Sequence, residues 1–288
     1  AIILLIPRVI EGILTGIQYA VWVLAIEAVL AELRPIPPAV LGAQESGRAA
    51  RHILPSDGEH TQPVSIAPPS KKSANAPLIE VKHLVFGYHT GIPIVQNLSL
   101  MIRRGEHTAI IGESGAGKTT LASLLLRLWD PDAGTISYDG VPHTKLPLEA
   151  SRTYFGAALQ GSWLFSASIR DNFLRLRGDI SEAAIWHALE TAQLADVVRA
   201  LPAGLDEPLG MNASRLSGGQ RSRLLTALAL AGDAPILLLD EPTAGLDAAC
   251  GTRLITSVLA DADARGATLI VITHDLPLLN QMKQVIKL

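Results

Sequence analysis

The sequence predicts an α/β fold with a parallel core sheet, preceded by a membrane helix and a linker. Three observations support this prediction. Strand-like and helix-like stretches alternate from about residue 78 onward, which is the order of a parallel sheet covered by helices. A glycine-rich loop at residues 112–120 joins a strand-like run to a helix-like one. Residues 1–33 have the composition of a membrane segment.

The N-terminal segment is strongly apolar. Ile, Leu, Val and Ala dominate it, and Arg8, Glu11 and Glu27 are its charged residues before Glu32. As a helix, residues 13–33 are long enough to cross about 30 Å of hydrocarbon. A cleavable signal peptide is the alternative, but such a peptide has a basic start and a small-residue cleavage site, which this stretch lacks. We therefore predict one complete span here, behind the end of another.

Charges on either side of this span predict its orientation. Arg34, Arg48 and Arg51 follow the apolar run. Glu11 precedes it beside a single arginine. Because positive charge is retained on the cytoplasmic side, the chain after the span is expected in the cytoplasm and the protein in the cell membrane. Glu27 lies within the run, so its carboxyl is expected to face either a polar cavity or the hydrated interface.

Composition divides the chain into three parts. Residues 55–77 contain five prolines and few large apolar side chains, as is typical of a linker. Residues 1–54 are therefore predicted to be the C-terminal part of a membrane domain with a cytoplasmic extension. Residues 78–288 are predicted to form a separate domain.

The overall charge and the cysteine content exclude some classes of protein. The chain has 24 basic and 27 acidic residues, and the basic ones are scattered, whereas proteins that bind nucleic acid have a basic face or stripe. We therefore expect no nucleic-acid partner. Cys250 is the one cysteine, which excludes an intramolecular disulfide. No cluster of Cys and His residues has the spacing of metal ligands.

The periodicity of the apolar residues places the elements after residue 78. Short runs rich in β-branched and aromatic residues predict strands, and a period of 3.6 residues predicts helices. The predicted strands are 79–88, 97–102, 107–112, 153–160, 235–240 and 268–273. The predicted helices include 118–129, with Leu121, Leu124, Leu125 and Leu128 on one face, and about 248–264. Residues 162–231 are mostly helical in pattern and are expected to interrupt the parallel sheet as a helical subdomain.

Residues 112–119 match the pattern G-x-x-x-x-G-K-[ST] and are called the phosphate loop below. A strand precedes the loop and an amphipathic helix follows it, as this motif requires. Its N–H groups and the positive end of the helix dipole are expected to surround phosphate oxygens, with Lys118 on the β and γ phosphates and the Thr119 hydroxyl on Mg²⁺. The loop therefore predicts binding of ATP or GTP. The candidate nucleotide-binding residues are Gly112, Glu113, Ser114, Gly115, Ala116, Gly117, Lys118, Thr119 and Thr120.

Two adjacent acids follow the apolar run of the strand at 235–240. Asp240 is expected to hold Mg²⁺ through water, and Glu241 to polarise the attacking water as general base. A chance pair is disfavoured, because two carboxylates at the end of a buried strand are costly unless a cation binds there. The pair therefore predicts a magnesium-dependent hydrolase.

A second glycine-rich loop, LSGGQ at residues 216–220, precedes another helix. Ser217 is a favourable N-cap and Gly232 is the expected C-terminal stop. The start of this helix is thus a second candidate anion site. A simple capping turn is the alternative, since it would explain the serine and one glycine.

Together and in this order, GESGAGKT, LSGGQ, ILLLDEP, AGLD and TH make residues 78–288 resemble the ATPases of the ATP-binding cassette (ABC) family. The resemblance implies a nucleotide-binding domain with a parallel core sheet, an antiparallel N-terminal β-subdomain and a helical subdomain. It also implies ATP as the nucleotide, Mg²⁺ as the cofactor and a head-to-tail dimer. In that dimer LSGGQ of one subunit closes over the γ-phosphate on the phosphate loop of the other, where it would stabilise charge. The residues implied to contact the partner's nucleotide are Ser217, Gly218, Gly219 and Gln220.

Four further positions match individual family residues. Gln160 matches the glutamine that senses Mg²⁺ and water and contacts the membrane part. His274 matches the histidine on the γ-phosphate, and Tyr88 matches the aromatic residue that stacks on adenine. Asp247 matches the loop that couples the two sites. The resemblance therefore implies as catalytic residues Glu241, His274, Gln160 and Lys118, and as metal-site residues Thr119, Gln160 and Asp240.

The order of span, linker and cassette resembles ABC exporters, whose membrane and ATPase domains share one chain. Residues 159–172 also resemble the exporter stretch on which a coupling helix of the membrane domain docks. Residues 23–54 followed by the cassette resemble the heterodimeric exporters of cysteine or glutathione that cytochrome bd assembly requires. The implied partners are a second ABC half-transporter, the membrane and a small exported substrate. Lipid, drug and peptide exporters remain alternatives.

Two features depart from the exporter pattern. Before LSGGQ the family has a glutamate and a glycine, where this chain has Met211 and Ala213. The resemblance implies that these two positions bear on communication with the partner's coupling helix. The resemblance also implies that the chain is a fragment that does not transport by itself. Most of a six-span membrane domain and the family's C-terminal tail have no counterpart in it.

Two other classes of function compete with an exporter subunit. A soluble cassette ATPase that clamps nucleic acid or ribosomes needs two cassettes or a basic arm, and the sequence has neither. A regulatory module that binds nucleotide without hydrolysis is expected to lack a catalytic group, whereas all the expected ones are present. The sequence therefore favours an ATP-hydrolysing exporter subunit.

Overall fold

The computed structural model describes residues 77–89 and 92–288. The predicted span at 13–33 and nearly all of the predicted linker lie outside these residues. Within them, no helix combines the length and the apolar character that crossing a bilayer would require.

Two β-sheets organise the described part of the chain. Its strands are β1 (Pro77–Phe86), β2 (Val95–Arg103), β3 (Thr108–Ile111), β4 (Ala133–Tyr138), β5 (Val141–Pro142), β6 (Phe155–Ala158), β7 (Ile236–Asp240), β8 (Thr268–Ile272) and β9 (Gln284–Lys287). One sheet is antiparallel, with the order β2-β1-β4-β5. The other has the order β6-β7-β8-β3-β9, and every neighbouring pair in it is parallel.

Helices connect the parallel strands and fill the stretch between β6 and β7. The α-helices of the described residues are α1 (Lys118–Leu125), α2 (Leu148–Thr153), α3 (Ile169–Leu176), α4 (Glu182–Thr191), α5 (Ala195–Arg199), α6 (Gly218–Leu230), α7 (Ala248–Arg265) and α8 (Leu276–Leu279). Short 3₁₀ turns lie at His143–Lys145, Gly204–Asp206 and Met211–Ala213.

The parallel sheet is the middle layer of the core. Strands β7 and β8 are buried at every residue, and their alternate side chains enter different clusters, as the two-residue period of a strand requires. Ile236 and Leu238 pack with β1, β4 and α1. Leu237 and Leu239 pack with α4, α6 and α7. The sheet therefore has the antiparallel sheet and α1 on one face and the helical part on the other.

The predicted α/β fold is confirmed. The structure differs from the prediction at the ends of some elements and in the partly exposed strands β4 and β9, which were not predicted. All six predicted strands are present. Helix α1 stops at Leu125 because Arg127 adopts a left-handed backbone with φ of 52°, and Leu128 is consequently 39 % exposed instead of facing the core. Gly232 follows α6 with a positive φ of 140°, which favours glycine and agrees with its predicted role as a stop.

Candidate functional site

The phosphate loop joins β3 to α1 at one end of the parallel sheet. Gly115 and Gly117 have φ of 85° and 91°, a backbone region that side chains other than glycine rarely adopt. Gly117 is the N-cap of α1, and no side-chain hydrogen bond caps the helix there within the described part of the chain. The first N–H groups of α1 are therefore available to an anion.

Lys118 lies over this loop. Its Nζ donates hydrogen bonds to the carbonyl oxygens of Gly112 and Glu113, both at 2.9 Å. A β-carbon on Gly115 would meet no heavy atom within 4 Å. The ammonium group and open space thus lie together at the loop, which is the arrangement that bound phosphates need.

Thr119, Asp240 and Gln160 meet beside the loop. The Thr119 hydroxyl donates to Asp240 Oδ2 at 3.2 Å, and the Gln160 backbone N–H also bonds the Asp240 carboxyl. Asp240 is 7 % exposed, and this burial, more than the neighbouring Glu241, raises the pKa of its carboxyl. A hydroxyl and a partly desolvated carboxylate are oxygen donors of the kind that Mg²⁺ prefers, so the residues present fit this cation.

Glu241 and His274 form a pair at the same end of the sheet. Their Oε1 and Nδ1 atoms lie 2.8 Å apart. The His274 side chain is 81 % exposed, whereas that of Glu241 is 13 % exposed. Glu241 adopts a left-handed backbone with φ of 51°, and its N–H donates to the carbonyl oxygen of Ile272 in β8 at 2.9 Å. The two predicted catalytic side chains are thus in direct contact, with the imidazole on the solvent side.

A cleft of about 300 Å³ lies next to this pair. Three segments of the chain form its walls: residues 159–162, called the Gln160 loop below, the first turns of α6, and the first part of residues 241–247, which are called the Glu241 loop. Asp240 and Glu241 line the cleft together with Gln160. The acids and the predicted sensing glutamine therefore face one common space.

Tyr88, predicted to stack on adenine, belongs to an aromatic group. Its ring meets Phe86 edge-on at 5.1 Å between centroids and Trp129 edge-on at 5.5 Å. The Tyr88 hydroxyl lies 3.4 Å from Thr120 Oγ1, at the start of α1. Sequence reasoning missed Trp129, although an aromatic residue just after the helix of a phosphate loop was a usable signal.

The LSGGQ residues begin α6 with a capping box. The Ser217 hydroxyl accepts from the Gln220 N–H at 3.3 Å, and the Gln220 side chain accepts from the Ser217 N–H at 2.9 Å. Ser217 and Gly218 are exposed, whereas Gly219 is buried. The structure therefore presents the first two residues to solvent and turns Gly219 toward its own chain.

Asp247 is the N-cap of α7. Its Oδ1 accepts a hydrogen bond from the Cys250 N–H at 2.8 Å. The Glu241 loop thus ends on a helix cap, which fixes Asp247 relative to α7. At the two departures from the exporter pattern, Met211 is 79 % exposed, and Ala213 is buried with a left-handed φ of 54°.

Comparisons with known proteins show which family this chain resembles. The family model for the ABC transporter matches residues 95–244, and a model for an AAA domain matches residues 209–280. The ATP-dependent lipid A-core flippase of Neisseria meningitidis serogroup B is 43 % identical over 157 residues, which are 54 % of this chain and 25 % of the flippase. That of Chromobacterium violaceum is 33 % identical over 280 residues, which are 97 % of this chain and 47 % of the flippase.

A solved structure of a bacterial Atm1-family ABC exporter with ATP bound superposes with a TM-score of 0.70 at 34 % identity. It covers 75 % of this chain, and this chain covers 37 % of the exporter. The chain thus spans between a quarter and a half of the length of these proteins.

Proposed function

Because the chain belongs to the ABC transporter family, we propose that residues 78–288 bind and hydrolyse ATP for a membrane exporter of which this chain forms one half. One observation supports hydrolysis above all: the phosphate loop, Asp240 and the Glu241–His274 pair meet at one end of the parallel sheet. Binding of ATP without hydrolysis would not require the Glu241–His274 pair. The names of the similar proteins, which are flippases and exporters, support the transport role.

Phosphate binding would use the loop and the start of α1. No side chain of the described residues caps the N–H groups at the start of α1, and the helix dipole adds positive potential at the same place. Lys118, now on the carbonyls of Gly112 and Glu113, would turn to the β and γ phosphates. Tyr88, held edge-on by Phe86 and Trp129, would offer a ring face to adenine.

Thr119 and Asp240 would hold Mg²⁺, with Gln160 beside them. When bound, this ion neutralises developing charge on the phosphate oxygens. The protein contributes a hydroxyl and a carboxylate 3.2 Å apart, so the oxygen donors are already together. The Gln160 N–H keeps the Asp240 carboxylate oriented.

Glu241 would act as general base on the attacking water. His274 contacts its Oε1 at 2.8 Å and would orient the carboxylate while its exposed ring reaches the γ-phosphate. The left-handed backbone of Glu241 is tied to β8 through the Ile272 carbonyl. The base is therefore held at a fixed position relative to the sheet.

The site would be completed by a second ABC half in a head-to-tail dimer. Ser217 and Gly218 are exposed at the start of α6, where they would stabilise charge on the partner's γ-phosphate. Residues 13–33 would anchor the chain in the cell membrane, with the ATPase domain in the cytoplasm and residues 55–77 as linker. Hydrolysis would then drive the change of access in the membrane domain.

Two substrate classes compete. The names of the flippase relatives favour a lipid substrate. Residues 23–54, which resemble heterodimeric exporters of cysteine or glutathione, favour a thiol. Stimulation of ATP hydrolysis by lipid A or by glutathione, measured in vesicles that contain the assembled transporter, decides between them.

Replacement of the general base tests hydrolysis. We expect Glu241→Gln to lower the ATP turnover of the assembled transporter at least about 100-fold, the contribution of a general base, while ATP affinity is kept because the phosphate loop is intact. Glu149→Gln is the matched control, since Glu149 is exposed at the start of α2. Turnover by the Glu241 variant at the rate of the Glu149 control would exclude the proposed role.

A further inference from the structure

The two glycines of LSGGQ have different surroundings. A β-carbon on Gly218 would meet no heavy atom within 4 Å. A β-carbon on Gly219 would lie 2.9 Å from the carbonyl oxygen of Gly245 and 2.7 Å from Leu246 Cδ2. Gly245 and Leu246 belong to the Glu241 loop of the same chain. Gly219 is therefore the point at which this loop packs on α6.

One turn further along α6, Ser222 holds the same loop by a hydrogen bond. Its hydroxyl donates to the carbonyl oxygen of Pro242 at 3.1 Å. Pro242 directly follows Glu241 and has no N–H of its own to donate. The loop is also held on the sheet side, where the Glu241 N–H bonds Ile272, and internally, where the Ala244 N–H donates to the Glu241 carbonyl at 3.1 Å.

The same turn of α6 also holds the Gln160 loop. Arg221 donates from its Nη2 to the carbonyl oxygen of Ser162 at 3.0 Å. The Ser162 hydroxyl in turn accepts from the Leu159 N–H at 3.2 Å. The start of α6 therefore contacts both loops that line the cleft beside the catalytic pair.

We propose that Ser222 and Gly219 are positioning residues for Glu241 of their own chain. This proposal rests on the proposed function, in which the exposed N-terminus of α6 contacts the nucleotide bound by the partner. The side of the same helix then holds Glu241 at the nucleotide bound by its own chain. Movement of α6 when the partner's nucleotide binds would then be transmitted to Glu241 through the Ser222–Pro242 hydrogen bond and the Gly219–Gly245 contact.

Two substitutions of Ser222 test this proposal in the assembled transporter. Ser222→Ala removes the hydroxyl, whereas Ser222→Thr keeps it and adds one methyl group at a residue that lines the cleft. We expect the alanine variant to lower kcat for ATP hydrolysis about three- to tenfold, the effect of one hydrogen bond, with KM for ATP changed less than about twofold because ground-state binding is untouched. The threonine variant should hydrolyse ATP like the unmodified protein.

A control separates positioning from general destabilisation. Ser257 on α7 accepts a hydrogen bond from Gln193 at 2.9 Å, so Ser257→Ala removes a comparable bond away from the cleft. It should leave kcat unchanged. An unchanged kcat in Ser222→Ala, an equal loss in Ser222→Thr, or an equal loss in Ser257→Ala would each overturn the proposal.

Amide hydrogen exchange gives a readout that does not depend on hydrolysis. Without nucleotide, the Ala244 amide should exchange faster in Ser222→Ala than in the unmodified protein and in Ser222→Thr, because the loop has lost one of its tethers. Equal exchange in all three proteins would overturn the proposal. If Glu241→Gln retained ATP turnover, only the proposed general-base role of Glu241 would be rejected. Amide exchange at Ala244 would still decide whether Ser222 holds the loop.

Discussion

The two glycines of LSGGQ predict opposite effects of alanine on stability. In Gly219→Ala the new β-carbon lies 2.9 Å from the Gly245 carbonyl oxygen, so the loop must move by about 0.5 Å to reach the ordinary contact distance of 3.4 Å. Such overpacking costs about 1–3 kcal/mol, and the better helix propensity of alanine returns at most about 1 kcal/mol. In Gly218→Ala only the propensity gain applies, because the β-carbon meets nothing within 4 Å.

The melting temperature and the ATPase rate, measured on the same preparations of the assembled transporter, separate these effects. For a domain of this size 1 kcal/mol shifts Tm by about 2–4 °C, so Gly219→Ala, with a net cost of at most about 3 kcal/mol, should melt lower, by up to roughly 12 °C. Gly218→Ala should melt at the original temperature or slightly above it. Both variants should hydrolyse ATP slowly, because one displaces the Glu241 loop and the other adds a methyl group on the surface proposed to face the partner's nucleotide.

The reasoning is refuted by a specific outcome. If Gly219→Ala melted at or above the temperature of Gly218→Ala, the contact between Gly219 and Gly245 would not constrain the loop. If Gly218→Ala hydrolysed ATP at the full rate while Gly219→Ala did not, the exposed start of α6 would not face the partner's site.

Two further predictions concern the partner's site and the pH dependence of folding. Because Ser217 is exposed at the start of α6, Ser217→Arg should impair nucleotide labelling at the partner's phosphate loop and spare labelling at the loop of its own chain. Photo-labelling each site of a mixed dimer shows which site is lost. Loss of labelling only at the site of its own chain would contradict the head-to-tail arrangement. Burial, and then the nearby Arg127, lower the pKa of His143 from 6.5 to about 4, so the unfolded chain binds a proton that the folded domain does not. The free energy of unfolding should therefore decrease by at most about 1.4 kcal/mol per pH unit as the pH is lowered from 6.5 to 4. His143→Phe keeps a ring beside Tyr138 and should remove this contribution to the pH dependence. Urea titrations at several pH values measure it.

The central sheet could be predicted because its strands are buried on both faces. Strands β7 and β8 are continuous apolar runs, which single-sequence patterns identify well. Strands β4 and β9 were not predicted because they are partly exposed and contain polar residues. Their burial depends on the strands beside them. Their assignment follows from pairing with β1 and β3, which a single sequence does not specify.

The sequence indicated which candidate site residues would lie together, but not the hydrogen bonds that hold their loops. Spacing within a motif identified Lys118 and Glu241, because such spacing is local in the chain. The contact of Ser222 with Pro242 joins residues 20 positions apart, and only the packing of α6 on the Glu241 loop creates it. The left-handed backbone of Glu241 could not be predicted from the sequence either, because glutamate rarely adopts that backbone region.

The departures before LSGGQ differ in their physical consequence. Ala213 occupies the place of a family glycine and adopts a left-handed φ of 54°, which costs an ordinary residue about 1–2 kcal/mol. Its methyl group is buried, which stabilises by about 0.8 kcal/mol and offsets only part of this backbone cost. Met211 is 79 % exposed where the resemblance places a glutamate, so this departure puts an apolar side chain in place of a charged one at the surface.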